Sequence, residues 1–393
     1  MAACRHHLHG GLPGTARALH LAAHMDTVLH VVAARPNFMK VAPLWRALSR
    51  RGVPQRLLHT GQHRGEAMSD VFFRELGLPA PDLSLGVGSG THAEAVARVM
   101  VLLERVLEEE RPGLVSVVGD VHGTLAAALV AARAGVLLAH VEAGLRSFDR
   151  AMPEELNRVV VDRVSDLLLA PSPDAEENLL VEGTHPSCIH LVGNLMVDAL
   201  RAHLPEALQL GQPGRMGLVP GGYAVATLHR PSNVDDAETL SGLVETLAEV
   251  ARRLPVVFPV HPRTAARLRP DDVARWGREV PGLRLVDPLG YLPFLSLTAQ
   301  AKVVLTDSGG LQEETTALGV PCLTLRESTE RPVTVTEGSN LLVGTDPELL
   351  LAEVDRVLRG AGKRGRVPAL WDGNAAGRAA EVYAAALTGR SPR

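Results

Sequence analysis

Two series of short apolar segments, each alternating with longer helical patterns, constrain this 393-residue chain more than any other feature. In the first series, Thr27–Ala33 reads as a strand, Lys40–Arg51 as a helix, Leu114–Val118 as a strand, Thr124–Ala134 as a helix and Val136–Val141 as a strand. Short apolar strands separated by helices build βαβ units and a parallel sheet, with right-handed crossovers. Thr91 followed by Glu94 is a capping box, which starts a long helix running to about Glu110. The rhythm restarts past the middle with Tyr223–Thr227 (strand), Glu238–Arg252 (helix) and Val256–Val260 (strand), then Leu283–Val286, Ala301–Leu305 and Pro321–Leu325. Gly211–Gly222, with several Gly and Pro residues, reads as the loop between the two series. The expected organisation is a disordered extension over 1–24, one α/β domain over 25–200, a second over 201–370, and a C-terminal segment over 371–393. The Ala-rich stretch Asn374–Leu387 in that last segment should form a helix packing back across the domain junction.

Composition narrows the function classes. A hydrophobic content of 46% supports a large core, and a net charge of −4 gives no reason to expect nucleic acid or an anionic membrane as a partner. The three cysteines, Cys4, Cys188 and Cys322, lie far apart without a CxxC pair, so neither a disulfide framework nor a zinc cluster is expected. The longest apolar runs fall short of the roughly 20 residues that span a bilayer. Met1–His24 lacks the apolar core of a signal peptide and reads as a solvated tail upstream of a second Met at 25. A cytoplasmic protein is expected.

Open α/β sheets bind ligands outside the carboxyl ends of their strands. The first strand here ends in Ala34-Arg35-Pro36-Asn37, ahead of Lys40, where Arg35 can meet an anion. Two later strands end in Gly119-Asp120 and in Glu142-Ala143-Gly144-Leu145-Arg146, and Glu154-Glu155 follows. One acid at a strand end is ordinarily a helix cap. Three together, beside Arg146 and Arg158, can raise one another's pKa and divide acid and base duties. The second series delivers His229-Arg230, His261 and Arg331. It also delivers Ser308-Gly309-Gly310, a small-residue turn between a strand and a helix. Such a helix start presents unpaired N–H groups and a partial positive charge, which together hold phosphate. Glu313 and Glu314 lie one turn inside that helix, where a carboxylate can grip ribose hydroxyls. A histidine at any one such position is more often packed core than ligand contact. Jointly, the pattern describes a cleft with a nucleotide diphosphate on one side and acid–base chemistry on the other. No GxxxxGK[ST] or GxSxG motif occurs, and Gly86–Gly90 lacks the spacing and preceding strand of a dinucleotide site. No histidine–carboxylate spacing indicates a catalytic metal, and no cofactor is expected.

Ten ordered motifs carry a resemblance: ARPNFMKVAPL, TGQHR, VGDVHGT, HVEAGLRS, MPEELNR, GNLMVDAL, TLHRPSN, DPLGYLPF, TDSGGLQEE and TERP. Through them, over about residues 27–385, the chain resembles the non-hydrolysing UDP-N-acetylglucosamine 2-epimerases of bacteria. The resemblance implies two Rossmann-like doubly wound domains facing across a cleft, the glycosyltransferase-B fold, and a homodimer. It also implies interconversion of UDP-N-acetylglucosamine and UDP-N-acetylmannosamine for cell-surface polysaccharide precursors, without a cofactor. The family's catalytic acids fall on Asp120, Glu142 and Glu154, and its catalytic-site histidine on His229. Its first-loop cations fall on Arg35 and Lys40, and its nucleotide contacts on Ser308, Gly309, Gly310, Glu314 and Arg331. His63, Arg146 and His261 complete the expected substrate-binding set. The chain departs from the pattern where Ala34 and Asn37 replace the ends of TRPE, and where Pro231-Ser232 replaces the second half of HRRE. Some members are activated by a second substrate molecule, held by the loop around His63 and by the second arginine of HRRE; here Gly65 and Pro231 replace polar residues. A hydrolysing epimerase, a glycosyltransferase of the same fold and an inactive nucleotide-sugar binder are the competing readings.

Overall fold

The computed structural model describes residues 26–61, 75–88 and 90–389. The extension over 1–24, His63 with its neighbours Gln62, Arg64 and Gly65, and the side chain of Arg35 lie outside the described residues.

The two apolar series fold into two parallel sheets. The first comprises β1 (Val28–Val32), β2 (Gln55–His59), β3 (Leu83–Ser84), β4 (Leu114–Val118), β5 (Leu137–Val141), β6 (Leu167–Ala170) and β7 (Ile189–Leu191), in the order β3-β2-β1-β4-β5-β6-β7. The second comprises β8 (Ala224–Thr227), β9 (Val256–Pro259), β10 (Leu283–Val286), β11 (Val303–Thr306), β12 (Cys322–Thr324) and β13 (Asn340–Leu342), in the order β10-β9-β8-β11-β12-β13. The central strands β1, β4, β8 and β11 read as mostly apolar runs because helices cover both faces of a parallel sheet. Each sheet reverses its winding once, between β1 and β4 and between β8 and β11. Crevices for ligands form at such switch points.

Eight helices position those crevices: α1 (Arg35–Arg50), α2 (His92–Glu110), α3 (His122–Arg133), α4 (Pro153–Val164), α5 (Leu195–Leu210), α6 (Tyr291–Ala299), α7 (Gly309–Leu318) and α8 (Ala375–Leu387). Helix α2 begins with the expected capping box: Glu94 N donates to Thr91 Oγ1 at 3.3 Å, and Thr91 N donates to Glu94 Oε2 at 2.9 Å. Helix α1 starts at Arg35, five residues before the helix expected from Lys40. Pro36 suits a first turn, and Asn37 Oδ1 accepts from Ala33 N and Ala34 N, both at 3.0 Å. Asn37 Nδ2 also donates to Val118 O at 3.0 Å, so one side chain ties the ends of β1 and β4 together.

Helix α5 joins the two sheets by packing on α1, α6 and α7. Helix α8 packs on α1 and α5. Its first turn is held by Asp198, whose carboxylate accepts from Ala375 N at 3.1 Å and Ala376 N at 2.7 Å. Its far end is held by Tyr383, whose hydroxyl lies 2.8 Å from Ser116 Oγ on β4. One buried apolar cluster accordingly includes residues from β1, α1, α5, α6 and α8. No helix among the described residues is long and apolar enough to cross a membrane.

Candidate active site

Both switch points gather acidic and basic side chains. At the first, β4 turns through Gly119, whose φ is 67°, into Asp120, and β5 runs into Glu142, whose φ is 76°. A left-handed backbone at a glutamate is strained and persists only where its surroundings over-determine it. Those surroundings are two cations. Lys40 Nζ donates to Glu142 Oε2, and Arg331 Nη2 donates to Glu142 Oε1 at 3.0 Å. Burial pushes the Glu142 carboxyl up, but Lys40 and Arg331 outweigh it and hold the group below the usual carboxylate range. Asp120 accepts from Arg158 Nη1, and its backbone carbonyl accepts from Asn157 Nδ2 at 2.7 Å. Glu154, at the start of α4, is partly exposed; burial first and the neighbouring His92 second lower the His122 ring's proton affinity, and Glu154 offsets them only in part. The rings of His122 and His92 lie 4.3 Å apart beside it.

The second switch point is cationic at its rim and acidic beneath. Asp307, fully buried, accepts from His229 N and Arg230 N at 2.9 Å each, and His229 Nδ1 lies 2.9 Å from its Oδ1. Burial would raise Asp307, but the His229 ring and these two backbone N–H groups hold it low. His229 is 38% exposed, with the His261 ring 5.8 Å away. Glu330 gathers three arginines: Arg331 at 2.6 Å, Arg326 at 2.8 Å and Arg230 at 3.2 Å. Arg331 Nε also lies 2.8 Å from Glu313 Oε1, in an ion pair whose angle leaves the N–H without a hydrogen bond. Arg230 Nε and Arg326 Nη1 are likewise buried donors without a hydrogen-bond partner among the described residues. Two orphaned guanidinium donors on arginines gathered at Glu330 form a site suited to a multivalent anion, because buried N–H groups seek acceptors.

Helix α7 begins at this rim. Ser308 N donates to Thr306 Oγ1 at 2.9 Å, which sets the turn, and Gly309 lies against Arg331: a Cβ there would come within 2.5 Å of Arg331 Nη1. Glu314, one turn further, is buried beside Tyr291 and Glu313; burial first and Glu313 second push its carboxyl up to about 8. At neutral pH it carries a proton and can act as a hydrogen-bond donor.

The structure thus brings Lys40, Asp120, Glu142 and Arg331 together, with His229, Ser308, Gly309 and Gly310 at the facing edge. Arg146 has a different task from the substrate contact expected of it. Its guanidinium pairs with both Glu182 oxygens at 2.7 Å and with Asp162 Oδ2 at 2.7 Å, and donates to Leu145 O at 2.8 Å. With its side chain only 1% exposed, it braces this loop from within instead of facing a ligand. Reading strand ends alone misses Asn37, Asp162, Asp307 and Glu330. The buried polar face of α4, where Glu155, Arg158 and Asp162 recur at helical spacing, is the signal that points to Asp162.

A profile of the UDP-N-acetylglucosamine 2-epimerase family matches residues 46–384. The UDP-N-acetylglucosamine 2-epimerase of Methanocaldococcus jannaschii is 42% identical over 333 residues, 84% of this chain and 91% of that protein. The UDP-2,3-diacetamido-2,3-dideoxy-D-glucuronate 2-epimerase of Pseudomonas aeruginosa is 39% identical over 329 residues, 82% of this chain and 90% of that protein. The crystal structure of the M. jannaschii enzyme in complex with UDP-GlcNAc and UDP matches with a TM-score of 0.83 at 40% identity, covering 91% of this chain and 99% of that one. The two parallel-sheet domains have the glycosyltransferase-B-like arrangement of such structures. Matched by profile, sequence and fold over most of its length, this chain belongs to the UDP-N-acetylglucosamine 2-epimerase family, which has bacterial and archaeal members.

Proposed function

We propose that the protein is a non-hydrolysing 2-epimerase that interconverts UDP-N-acetylglucosamine and UDP-N-acetylmannosamine. The observation that carries this reading is the Glu142–Arg331 contact at 3.0 Å, which joins the carboxylate edge of one sheet to the orphaned arginine donors of the other. The hydrogen at C2 of the sugar is not acidic, so the anomeric C–O bond breaks first. UDP leaves with the bonding pair and C1 becomes oxocarbenium-like. A carboxylate then takes the C2 proton, which leaves a C1=C2 double bond in a 2-acetamidoglucal. Protonation of C2 from the opposite face and return of the UDP oxygen to C1 complete the inversion.

The reading assigns roles to residues of the expected set. Arg331, the Ser308–Gly310 turn and Arg35 stabilise the charge that develops on the departing diphosphate, and His229 donates to it. Asp120, Glu142 and Glu154 provide the base and the opposite-face acid. A diphosphate that draws Arg331 to itself leaves Glu142 with Lys40 alone and raises its proton affinity when a base is needed. UDP stays bound while the glucal exists, so the cleft closes and excludes water. A cytoplasmic homodimer supplying polysaccharide precursors, with domains divided near residue 200, completes the reading. A second reading is favoured by the Pseudomonas relative: the same C2 chemistry on a 2,3-diacetamido uronate.

The test is proton NMR in D2O with each sugar nucleotide. Deuterium at C2 of UDP-N-acetylglucosamine, with only sugar nucleotides as products, supports the proposal. Free N-acetylmannosamine points to hydrolysis, and exchange on the uronate alone points to the second reading. Asp120→Asn and Glu154→Gln should each abolish exchange and leave UDP binding largely intact; full exchange in both would remove Asp120 and Glu154 from the mechanism.

A further inference from the structure

Helix α4 carries more than Glu154. Its buried face touches both loops that hold the other two acids. Asn157 and Arg158 grip Asp120, as described above, and Asp162 Oδ2 accepts from Gly144 N at 3.0 Å, two residues beyond Glu142. Asp162 Oδ1 faces His140 Nδ1 at 2.6 Å, and His140 Nε2 donates to Gly119 O at 2.9 Å. Gly119 immediately precedes Asp120. His140 is fully buried on β5, two residues before Glu142.

A carbonyl oxygen only accepts, so Nε2 carries hydrogen. Asp162 is ionised, since His140 and Arg146 outweigh the burial that would protonate it. Nδ1 faces that carboxylate at 2.6 Å. With both ring nitrogens committed, the ring has one orientation, and it spans the distance between the Gly119 turn and helix α4. The loops tied by these contacts carry Gly119, Glu142 and Gly144, all with left-handed backbone. Glu142, the one of these that is not glycine, is strained there and needs such support.

We propose that His140 and Asp162 form a buried clamp that sets the separation of Asp120 and Glu142, and so act as positioning residues for proton transfer at C2. The inference rests on the function proposed above. The His140 and Asp162 side chains are 0% and 3% exposed, so the clamp's effect should fall on turnover rather than on binding.

Two substitutions separate its two contacts. In His140→Asn, the short amide keeps a donor toward Asp162 and loses Gly119; in His140→Gln, the longer amide keeps the donor toward Gly119. Misplacing a reacting group by about 1 Å costs roughly 100-fold in rate. C2 deuterium incorporation should therefore fall about 100-fold in H140N and less than about 10-fold in H140Q, with UDP affinity within about threefold of wild type in both. Wild-type exchange in H140N overturns the clamp. Loss of UDP binding in step with loss of exchange also overturns it, because that marks a role in folding alone. If the wild-type protein itself shows no exchange, the proposed function fails. The clamp is then decided by the crystal structure of H140N: a displaced Gly119–Asp120 turn supports it, and an unchanged turn overturns it.

Discussion

The two switch-point edges hold their charges differently. At the end of β4 and β5, each carboxylate has a cation of its own from the same half of the chain: Arg158 for Asp120 and Lys40 for Glu142. Around the end of β11, one carboxylate, Glu330, is shared by Arg230, Arg326 and Arg331, and guanidinium donors are left over. The first arrangement fixes positions, as the proton transfer proposed above would require. The second leaves guanidinium donors free for an anion, which in the proposed reaction departs and returns. Arg331 belongs to both edges, since among the described residues of the second half it is the cation that reaches across to Glu142.

Arg331→Ala is the strongest way to break this comparison. It leaves Glu142, Glu313 and Glu330 buried without their common counter-charge, and breaking a buried pair costs about 3–5 kcal/mol. Guanidinium denaturation should show that loss; a change under about 1 kcal/mol would mean the charges are solvated and the edges are not distinct.

Gly309→Ala sharpens the role of the second edge. The new methyl meets Arg331 Nη1 at 2.5 Å and Glu330 Oε1 at 2.9 Å, and Arg331 is too firmly paired to yield freely. Overpacking of this kind costs about 1–3 kcal/mol, so UDP affinity by calorimetry should fall roughly 5- to 150-fold. At Gly310 a Cβ meets only Met196 Cε at 3.5 Å, and the same substitution should be milder. Equal losses at the two positions would dissociate the effect from Arg331.

Glu314→Gln tests the acid beneath the rim. The folded-state pKa of Glu314 is raised to about 8 from an ordinary value of 4.5, so the folded protein holds that proton more tightly than the unfolded chain does. Its contribution is fully present below pH 4.5 and is lost as pH rises toward 8, at a limiting slope of about 1.4 kcal/mol per pH unit. The glutamine variant lacks this slope. It should match wild type near pH 5 and exceed it at pH 8 in denaturant titrations; parallel curves would place the carboxyl in water.

Much of the site is legible in the order of residues along the chain. Asp120, Glu142 and Ser308 fall at strand ends because the apolar runs that precede them have the length and composition of buried parallel strands. The alternation of strand and helix is equally plain, since each element's periodicity is local. Arg146 shows where such reading stops. At a strand end it has the chemistry of an anion binder, yet Glu182, which takes its guanidinium, lies 36 residues away in the chain. Asp162 is hidden for the opposite reason: α4 buries a polar face, which runs against the rule that equates burial with apolar residues.

What the sequence by itself determined were the elements, their parallel arrangement and the types of side chain delivered to each sheet edge. Those follow from local periodicity, turn chemistry and the single direction of strands in a parallel sheet. The tertiary structure alone decided which charges meet. Lys40 and Glu142 are 102 residues apart, and Glu142 and Arg331 are 189 apart. Only the fold sets such distances and removes the water that would otherwise screen each charge. A carboxylate's character, whether held ionised like Glu142 or protonated like Glu314, is thus a property of where the chain has placed it.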